Sequence, residues 1–140
     1  MLWKKNMQLI DANVIIRCIL DDCPEMTAKA TEVIDSGTYT KPEIIAEVVY
    51  VLQKVYSVQR GALRKMIYDI LDVVTCDEAD CVRCAMDIYA EISLDFVDCL
   101  LIAYNKINQE NIFSFDKKLN KQIEKNTQKN HNTIMDDEIF

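Results

Sequence analysis

Residues 93–120 read SLDFVDCLLIAYNKINQENIFSFDKKLN, and they place acids in sequence that otherwise resembles a protein core. From Leu94 to Ile107 the residues are apolar on nearly every face, which is typical of a helix buried by its neighbours. Asp98 lies inside this segment, and Asp95, three residues earlier, points to the same side of the helix. A buried carboxylate is costly unless it is paired or holds a metal. The segment therefore predicts a functional acid on a core helix.

A second acid follows a short apolar run in the same stretch. The residues from Asn111 to Phe115 are typical of a strand, and the run ends directly on Asp116. Ligands of α/β sheets bind at the carboxyl ends of the strands, so Asp116 is a candidate for a binding site. On its own it could equally begin a turn or cap the helix that starts at Lys117.

The rest of the chain alternates short strands with longer helices. The predicted strands are Met7–Ile10, Thr38–Thr40, Val73–Cys76 and Asn111–Phe115. The predicted helices are Val14–Leu20, Pro24–Asp35, a helix from the capping box Thr40-x-x-Glu43 to about Tyr56, Arg60–Leu71, Glu78–Ile92 and the core helix from Leu94. Strands separated by helices of this length predict an α/β fold with a mostly parallel sheet, covered by helices on both faces.

Length and composition are typical of one globular domain. The chain has 140 residues, of which 50% are hydrophobic, and it contains only two Gly and two Pro. No apolar run is long enough to span a membrane. Asp11, Asn13 and Arg17 interrupt what would be the apolar part of a secretory signal, so we expect a cytoplasmic protein.

Charge and local composition refine this picture. The net charge of −7 argues against a broad, non-specific grip on nucleic acid, although it leaves room for a local basic rim. We place the folded domain at residues 7–124, after a short lead of residues 1–6. Residues 125–140 form a polar tail with too little apolar content to build a core.

The six cysteines have three possible explanations. A disulfide framework would require an oxidising compartment, and nothing in the sequence indicates export. Cys76, Cys81 and Cys84 match the C-x4-C-x2-C spacing of one iron–sulfur motif. Two of them, however, lie on one stripe of a predicted amphipathic helix. This pattern favours buried cysteines that act as small hydrophobic residues.

Two further acids precede the core helix. Asp11 follows an apolar strand and precedes a helix, so it is either a helix N-cap or a site residue at the end of a strand. Glu47 lies among apolar residues, which argues against a simple surface acid. Asp95 could cap the helix that begins near Ser93.

Taken together, four acids come from two strand ends and two helices that a parallel sheet can bring to one edge. They are Asp11, Glu47, Asp98 and Asp116. Repulsion and burial would raise the pKa values of clustered carboxylates unless cations were bound. Hard oxygen ligands select Mg²⁺ or Mn²⁺, which suit phosphate-ester chemistry.

The segments around these acids resemble a known family. They read LIDANVIIR, EVVYVL, LDFVDCLLIA and FSFDKKL, in that order. They are similar to the motifs of PIN-domain ribonucleases, in particular VapC-type toxins of bacterial toxin–antitoxin pairs. The resemblance runs from about Met7 to Lys121. It implies a PIN-like fold with a short, mostly parallel central sheet of four to five strands.

The resemblance also implies a metal-dependent hydrolysis of RNA phosphodiester bonds. Asp98 and Asp11 would hold the principal Mg²⁺ or Mn²⁺ ion, and Glu47 and Asp116 would complete a site for one or two ions. Polar helpers beside the site would be Asn13, Asp95 and Ser114. The family further implies a homodimer and a cognate antitoxin that occupies the cleft.

Basic residues near these motifs could contact the RNA backbone. The candidates are Arg17, Lys54, Arg60, Arg64, Lys117, Lys118 and Lys121. Most such residues simply face solvent on helix exteriors. The only histidine, His131, lies in the polar tail, so the sequence does not support catalysis by a histidine acid–base pair.

Two alternatives belong to other classes of protein. Asp11-Ala12-Asn13 after a strand weakly resembles the nucleophile motif of haloacid-dehalogenase-like phosphatases, but the second Asp of that motif is missing. The other alternative is a non-catalytic PIN-like module that binds RNA or protein. The presence of all four acids argues against it.

Overall fold

The computed structural model describes residues 6–139, with side chains described for residues 6–129. Apart from Asn6, the N-terminal lead of residues 1–6 lies outside this part of the chain. The side chain of His131 and most side chains of the polar tail also lie outside it.

Short strands and longer helices alternate along the chain. The strands are β1 (Gln8–Leu9), β2 (Thr38–Thr40) and β3 (Thr75–Cys76). The helices are α1 (Ala12–Leu20), α2 (Pro24–Asp35), α3 (Pro42–Lys54), α4 (Arg60–Val73), α5 (Ala79–Glu91), α6 (Phe96–Asn108) and α7 (Lys117–Ile139). None of the helices within residues 6–139 is long and apolar enough to cross a membrane.

The three strands form one parallel sheet in the order β1-β2-β3. Gln8 is in register with Thr38, and Tyr39 is in register with Thr75. This confirms the predicted α/β class and the parallel sheet. The prediction of four to five strands is wrong, because residues 6–139 contain three.

The missing strand is the predicted Asn111–Phe115, which is irregular. Phe113 and Phe115 are 83% and 91% exposed, and their rings contact each other edge to face at 5.1 Å. The Asn120 side-chain amide donates to the Ser114 carbonyl at 2.8 Å and ties the segment to the start of α7. The run is therefore bonded to the helix that follows it and pairs with no strand among the described residues.

The predicted capping box at Thr40 is also wrong. Thr40 belongs to β2, where its hydroxyl is buried and lacks a hydrogen-bond partner among the described residues. The N-cap of α3 is Lys41, whose side chain makes no capping bond, and Pro42 occupies the first turn. Thr40 therefore pairs in the sheet, although the local sequence pattern predicted it as the N-cap of α3.

The core is one cluster of buried apolar side chains drawn from the sheet and all seven helices. None of the six cysteines forms a disulfide bond. Cys76, Cys81 and Cys99 are buried, and burial raises the pKa of the Cys81 thiol to about 11 and that of Cys99 to about 12. These two thiols stay protonated at neutral pH and behave as apolar groups.

Candidate active site

Asp11 lies where β1 meets α1 and serves as the N-cap of that helix. Its Oδ1 accepts a hydrogen bond from the Val14 amide at 3.2 Å. The carboxylate is exposed, and Asn13 lies exposed in the first turn of the same helix. The sequence left open whether Asp11 caps a helix or belongs to a site, and its capping bond leaves Oδ2 available for a ligand.

Asp116 holds the same position at the start of α7. Its Oδ1 accepts from the Leu119 amide at 2.9 Å, and its own amide donates to the Ser114 hydroxyl at 3.0 Å. Ser114 therefore fixes the backbone of Asp116, while the exposed carboxylate caps the helix.

Asp98 lies in the first turn of α6, only partly exposed. Burial raises the pKa of its carboxyl group, and the negative charges of Asp95 and Asp116 raise it further. Asp95, Asp98 and Asp116 therefore lie close enough for the charges of the other two to affect Asp98. Asp95 occupies the N-cap position of α6, but its side chain makes no capping bond, so the predicted capping role of that side chain is wrong.

Glu47 lies on α3 and is exposed. Among the apolar neighbours that argued for a shielded environment, Ile45, Val48, Val49 and Leu52 turn inward, and Ile44 and Val51 are half-buried. The inward residues share the buried face of the helix, and Glu47 points away from it. Helix α3 packs on both α1 and α6, which places it between the helices of Asp11 and Asp98.

The acids are not neutralised by the basic side chains of the described residues. Asp22, Glu32, Asp69, Asp80 and Asp87 each pair with a basic side chain, whereas no ion pair between residues 6–129 includes Asp11, Glu47, Asp95, Asp98 or Asp116. Helices α1, α6 and α7 begin at three of these acids, so the positive ends of three helix dipoles partly offset the negative charge.

A divalent cation fits this site in its donor chemistry but not yet in its geometry. The donors are all carboxylate oxygens, and burial together with the negative charges of Asp95 and Asp116 raises the pKa of Asp98. Among the described side chains, however, no three acidic, histidine or cysteine groups converge closely enough to hold a metal ion. For three of these acids to hold one ion, their carboxylates would have to move closer together.

Arg60 has a role that the sequence did not reveal. Its Nη1 donates to the carbonyls of Tyr89, Ile92 and Leu94 at 3.0, 3.0 and 2.8 Å. These carbonyls end α5 and form the turn that leads into Asp95. Arg60 therefore fixes the start of the acid-bearing helix and is not a free contact for RNA. The sequence offers no signal for this role, because the turn lies about thirty residues away along the chain.

Three more of the basic residues that were predicted to contact RNA already bond to other groups of the protein. Arg17 pairs with Asp22 and Arg64 pairs with Asp87, each at 3.1 Å. Lys118 Nζ donates to the Ser93 carbonyl at 2.7 Å. The remaining candidates, Lys54, Lys117 and Lys121, are exposed and form no ion pair with a described residue.

Comparison with known families identifies the fold. The profile of the PIN domain matches residues 9–125, and the chain belongs to this family. Comparisons with curated proteins and with solved structures find no match. PIN domains are generally nucleases that act on RNA, and they typically use divalent metals. The nuclease class expected from the four motifs is thereby confirmed at this general level.

Proposed function

We propose that the protein is a metal-dependent endoribonuclease whose catalytic residues are Asp11, Glu47, Asp98 and Asp116. The observation that carries this proposal is that Asp98 lies near two other acids in a chain that belongs to the PIN-domain family. The Asp98 carboxylate lies in the first turn of α6, and its pKa is raised by burial and by two neighbouring acids. A bound divalent cation would offset the repulsion between these carboxylates.

The side chains divide the work according to their positions. Asp98 and Asp11 would hold the principal Mg²⁺ or Mn²⁺ ion, and Glu47 and Asp116 would complete the set. A bound divalent ion lowers the pKa of water and offsets charge on the departing oxygen. Because Asp11 and Asp116 also cap helices, the backbone holds their carboxylates in place.

Three polar residues would support the catalytic acids. Ser114 holds the backbone of Asp116 through its hydroxyl, so it sets the position of that carboxylate. Asp95 adds negative charge beside Asp98 and would strengthen cation binding. Asn13 lies in the turn after Asp11 and is available to orient RNA.

The domain at residues 7–124 would act as the toxin of a toxin–antitoxin pair, as a homodimer inhibited by a cognate antitoxin. The support is the ordered resemblance of four motifs to VapC-type toxins. Expression of the protein should then arrest bacterial growth, and Asp98→Asn should relieve the arrest. Light scattering of the purified protein tests the dimer.

RNA cleavage tests the nuclease proposal. Purified protein is incubated with total RNA and Mg²⁺ or Mn²⁺, with EDTA in a parallel reaction. Asp98→Asn is compared with Asp69→Asn, which removes the same charge from α4, where Asp69 pairs with Lys65 at 3.2 Å. We expect discrete products from the wild type and Asp69→Asn, and none with EDTA or Asp98→Asn. Intact RNA from folded wild-type protein would instead favour a non-catalytic binding module.

A further inference from the structure

A cleft of about 550 Å³ opens beside Asp95, between α3, the end of α5 and the start of α6. Its lining includes Tyr50, Gln53, Lys54, Tyr89 and Asp95, and we call it the Tyr50 cleft. Its volume falls within the roughly 300–1,000 Å³ of typical ligand sites. The proposed hydrolysis uses none of the α3 and α5 side chains in this lining.

One face of α3 leads from Glu47 into the cleft. Glu47, Tyr50 and Lys54 follow one another along this face, since residues three and four apart are neighbours on a helix. Glu47 and Lys54 lie about 10 Å apart along the axis, at roughly 1.5 Å per residue. The Tyr50 side chain is 62% exposed, and Lys54 forms no ion pair with a described residue. An acid, an aromatic ring and a cation therefore extend outward from the site.

Tyr89 gives the cleft a second, independent feature. It lines the cleft and is 1% exposed, yet its hydroxyl has no hydrogen-bond partner among the described residues. The Arg60 guanidinium lies 4.0 Å from the centre of its ring, which holds the side chain in place. A buried hydroxyl without a partner is destabilising, and a polar group of a ligand in the cleft would supply that partner.

We propose that the Tyr50 cleft binds one unstacked nucleobase of single-stranded RNA, with the base on the Tyr50 ring and a neighbouring phosphate on Lys54. The inference rests on the proposed function, because it places the substrate next to that site. Aromatic rings stack on every base. The Gln53 amide, the Asp95 carboxylate and the Tyr89 hydroxyl supply donors and acceptors that can distinguish one base from another.

Fluorescence anisotropy with short, labelled homopolymer RNAs tests the inference. The Asp98→Asn background prevents cleavage, and Tyr50→Ala is compared with Tyr50→Phe. We expect Tyr50→Ala to weaken single-strand binding roughly tenfold, the loss of one base–aromatic stack. Tyr50→Phe keeps the ring and should bind as the parent does. Duplex RNA should bind without responding to Tyr50→Ala, because its bases remain stacked on each other.

Two control variants locate the effect. Tyr56→Ala removes an exposed ring outside the cleft, and Phe113→Ala removes a ring from the exposed pair before Asp116. Both should leave single-strand binding unchanged. Equal losses from Tyr56→Ala and Tyr50→Ala, or a loss from Phe113→Ala alone, would overturn the assignment to the Tyr50 cleft.

Tyr89→Phe separates recognition from folding. Removal of an unpartnered hydroxyl should leave the melting temperature unchanged or higher, whereas the preference among the four homopolymers should narrow by severalfold. An unchanged preference would exclude the hydroxyl from base recognition. Cleavage by the wild type is measured separately. If the wild type cleaves RNA but Tyr50→Ala does not weaken RNA binding, the proposed role of the Tyr50 cleft is refuted and the nuclease proposal stands. If Tyr50→Ala weakens RNA binding but the wild type does not cleave RNA, the nuclease proposal is refuted and the binding role of the cleft stands.

Discussion

Two short runs of the chain end in the same way and fold differently. Residues 7–11, MQLID, and residues 112–116, IFSFD, each finish on an acid that caps the next helix. Asp11 accepts from the amide three residues on at 3.2 Å, and Asp116 does so at 2.9 Å. The first run pairs with β2, where the Ile10 amide donates to the Tyr39 carbonyl at 3.0 Å. The second run pairs with no strand among the described residues.

The difference separates what a segment determines locally from what its neighbours determine. A capping acid needs only the helix that follows it, so both runs place their carboxylates in the same way. A strand needs a partner with free backbone groups and a surface on which to bury side chains. Ile10 has a hydrogen-bonding partner in β2 and a buried side chain that is 4% exposed. Phe113 and Phe115 have no partner strand among the described residues, and their side chains are exposed.

The largest expected effect is a loss of RNA cleavage when either capping acid is replaced, and it shows whether Asp11 and Asp116 have the same function. Asn caps helices as well as Asp does but carries no charge. Asp11→Asn and Asp116→Asn should therefore each reduce RNA cleavage by at least about 100-fold, as even the loss of an outer partner of a metal site can do. The free energy of unfolding should change by less than about 0.5 kcal/mol.

Cleavage kinetics and urea unfolding are measured on the same preparations, with Asp69→Asn as the control for loss of charge. Full activity in either variant would show that its acid is a cap and nothing more. The two runs would then differ in function, because only one of their acids would take part in cleavage.

The next effect tests the structural difference between the runs. Ile10→Ala should lower the free energy of unfolding by about 2–5 kcal/mol, the usual loss for a buried Ile. Phe113→Ala should lower it by less than about 0.5 kcal/mol, because the ring is exposed. Equal losses in urea unfolding would mean that residues 112–116 pack as a strand after all.

A smaller effect is expected from loss of the capping hydrogen bonds, which contribute to the free energy of unfolding. Asp11→Ala and Asp116→Ala should each cost about 1 kcal/mol more than the corresponding Asn variants, because Ala provides no capping oxygen. Thermal unfolding monitored by circular dichroism gives the comparison. A cost at Asp11 without one at Asp116 would show that only the paired run holds its acid firmly.

These comparisons also show how far the sequence alone could be interpreted. The bounds of β2 were predicted as observed, because Gly37 before it and Pro42 after it limit the segment. A helix that starts at Lys117 was one of the two alternatives left open for Asp116, and the structure has this helix, because the capping pattern is local. The exposure of Glu47 was misjudged, since apolar neighbours along the chain lie on the opposite face of the helix.

The role of Arg60 and the absence of a fourth strand could not be predicted in this way. Arg60 contacts carbonyls of a turn about thirty residues away, which only the packing of α4 against α5 brings near. The run before Asp116 has the composition of a strand, but its pairing depends on the path of the chain after α6. Both features are set by tertiary contacts that a single segment does not encode.

The smallest expected effect is a dependence of stability on pH. Asp98 has a raised pKa in the folded state, so the folded protein binds its proton more tightly than the unfolded chain does. With EDTA present, its contribution is complete below about pH 4, the ordinary Asp value. It is lost as the pH rises through the raised pKa.

Urea unfolding at a series of pH values compares the wild type with Asp98→Asn, which should lack this component and be the more stable protein at neutral pH. A variant that is less stable than the wild type at neutral pH would mean that the Asp98 carboxylate is favourably paired in the folded state.

The most direct test of the central claim is Mn²⁺ binding, followed by the electron paramagnetic resonance signal of the free ion. We predict saturable binding to the wild type and to Asp69→Asn. We also predict strongly weakened binding to Asp98→Asn, Asp11→Asn and Asp116→Asn. Binding that is equal in all five proteins, or absent from the wild type, would contradict the assignment of these carboxylates to a metal-dependent nuclease site.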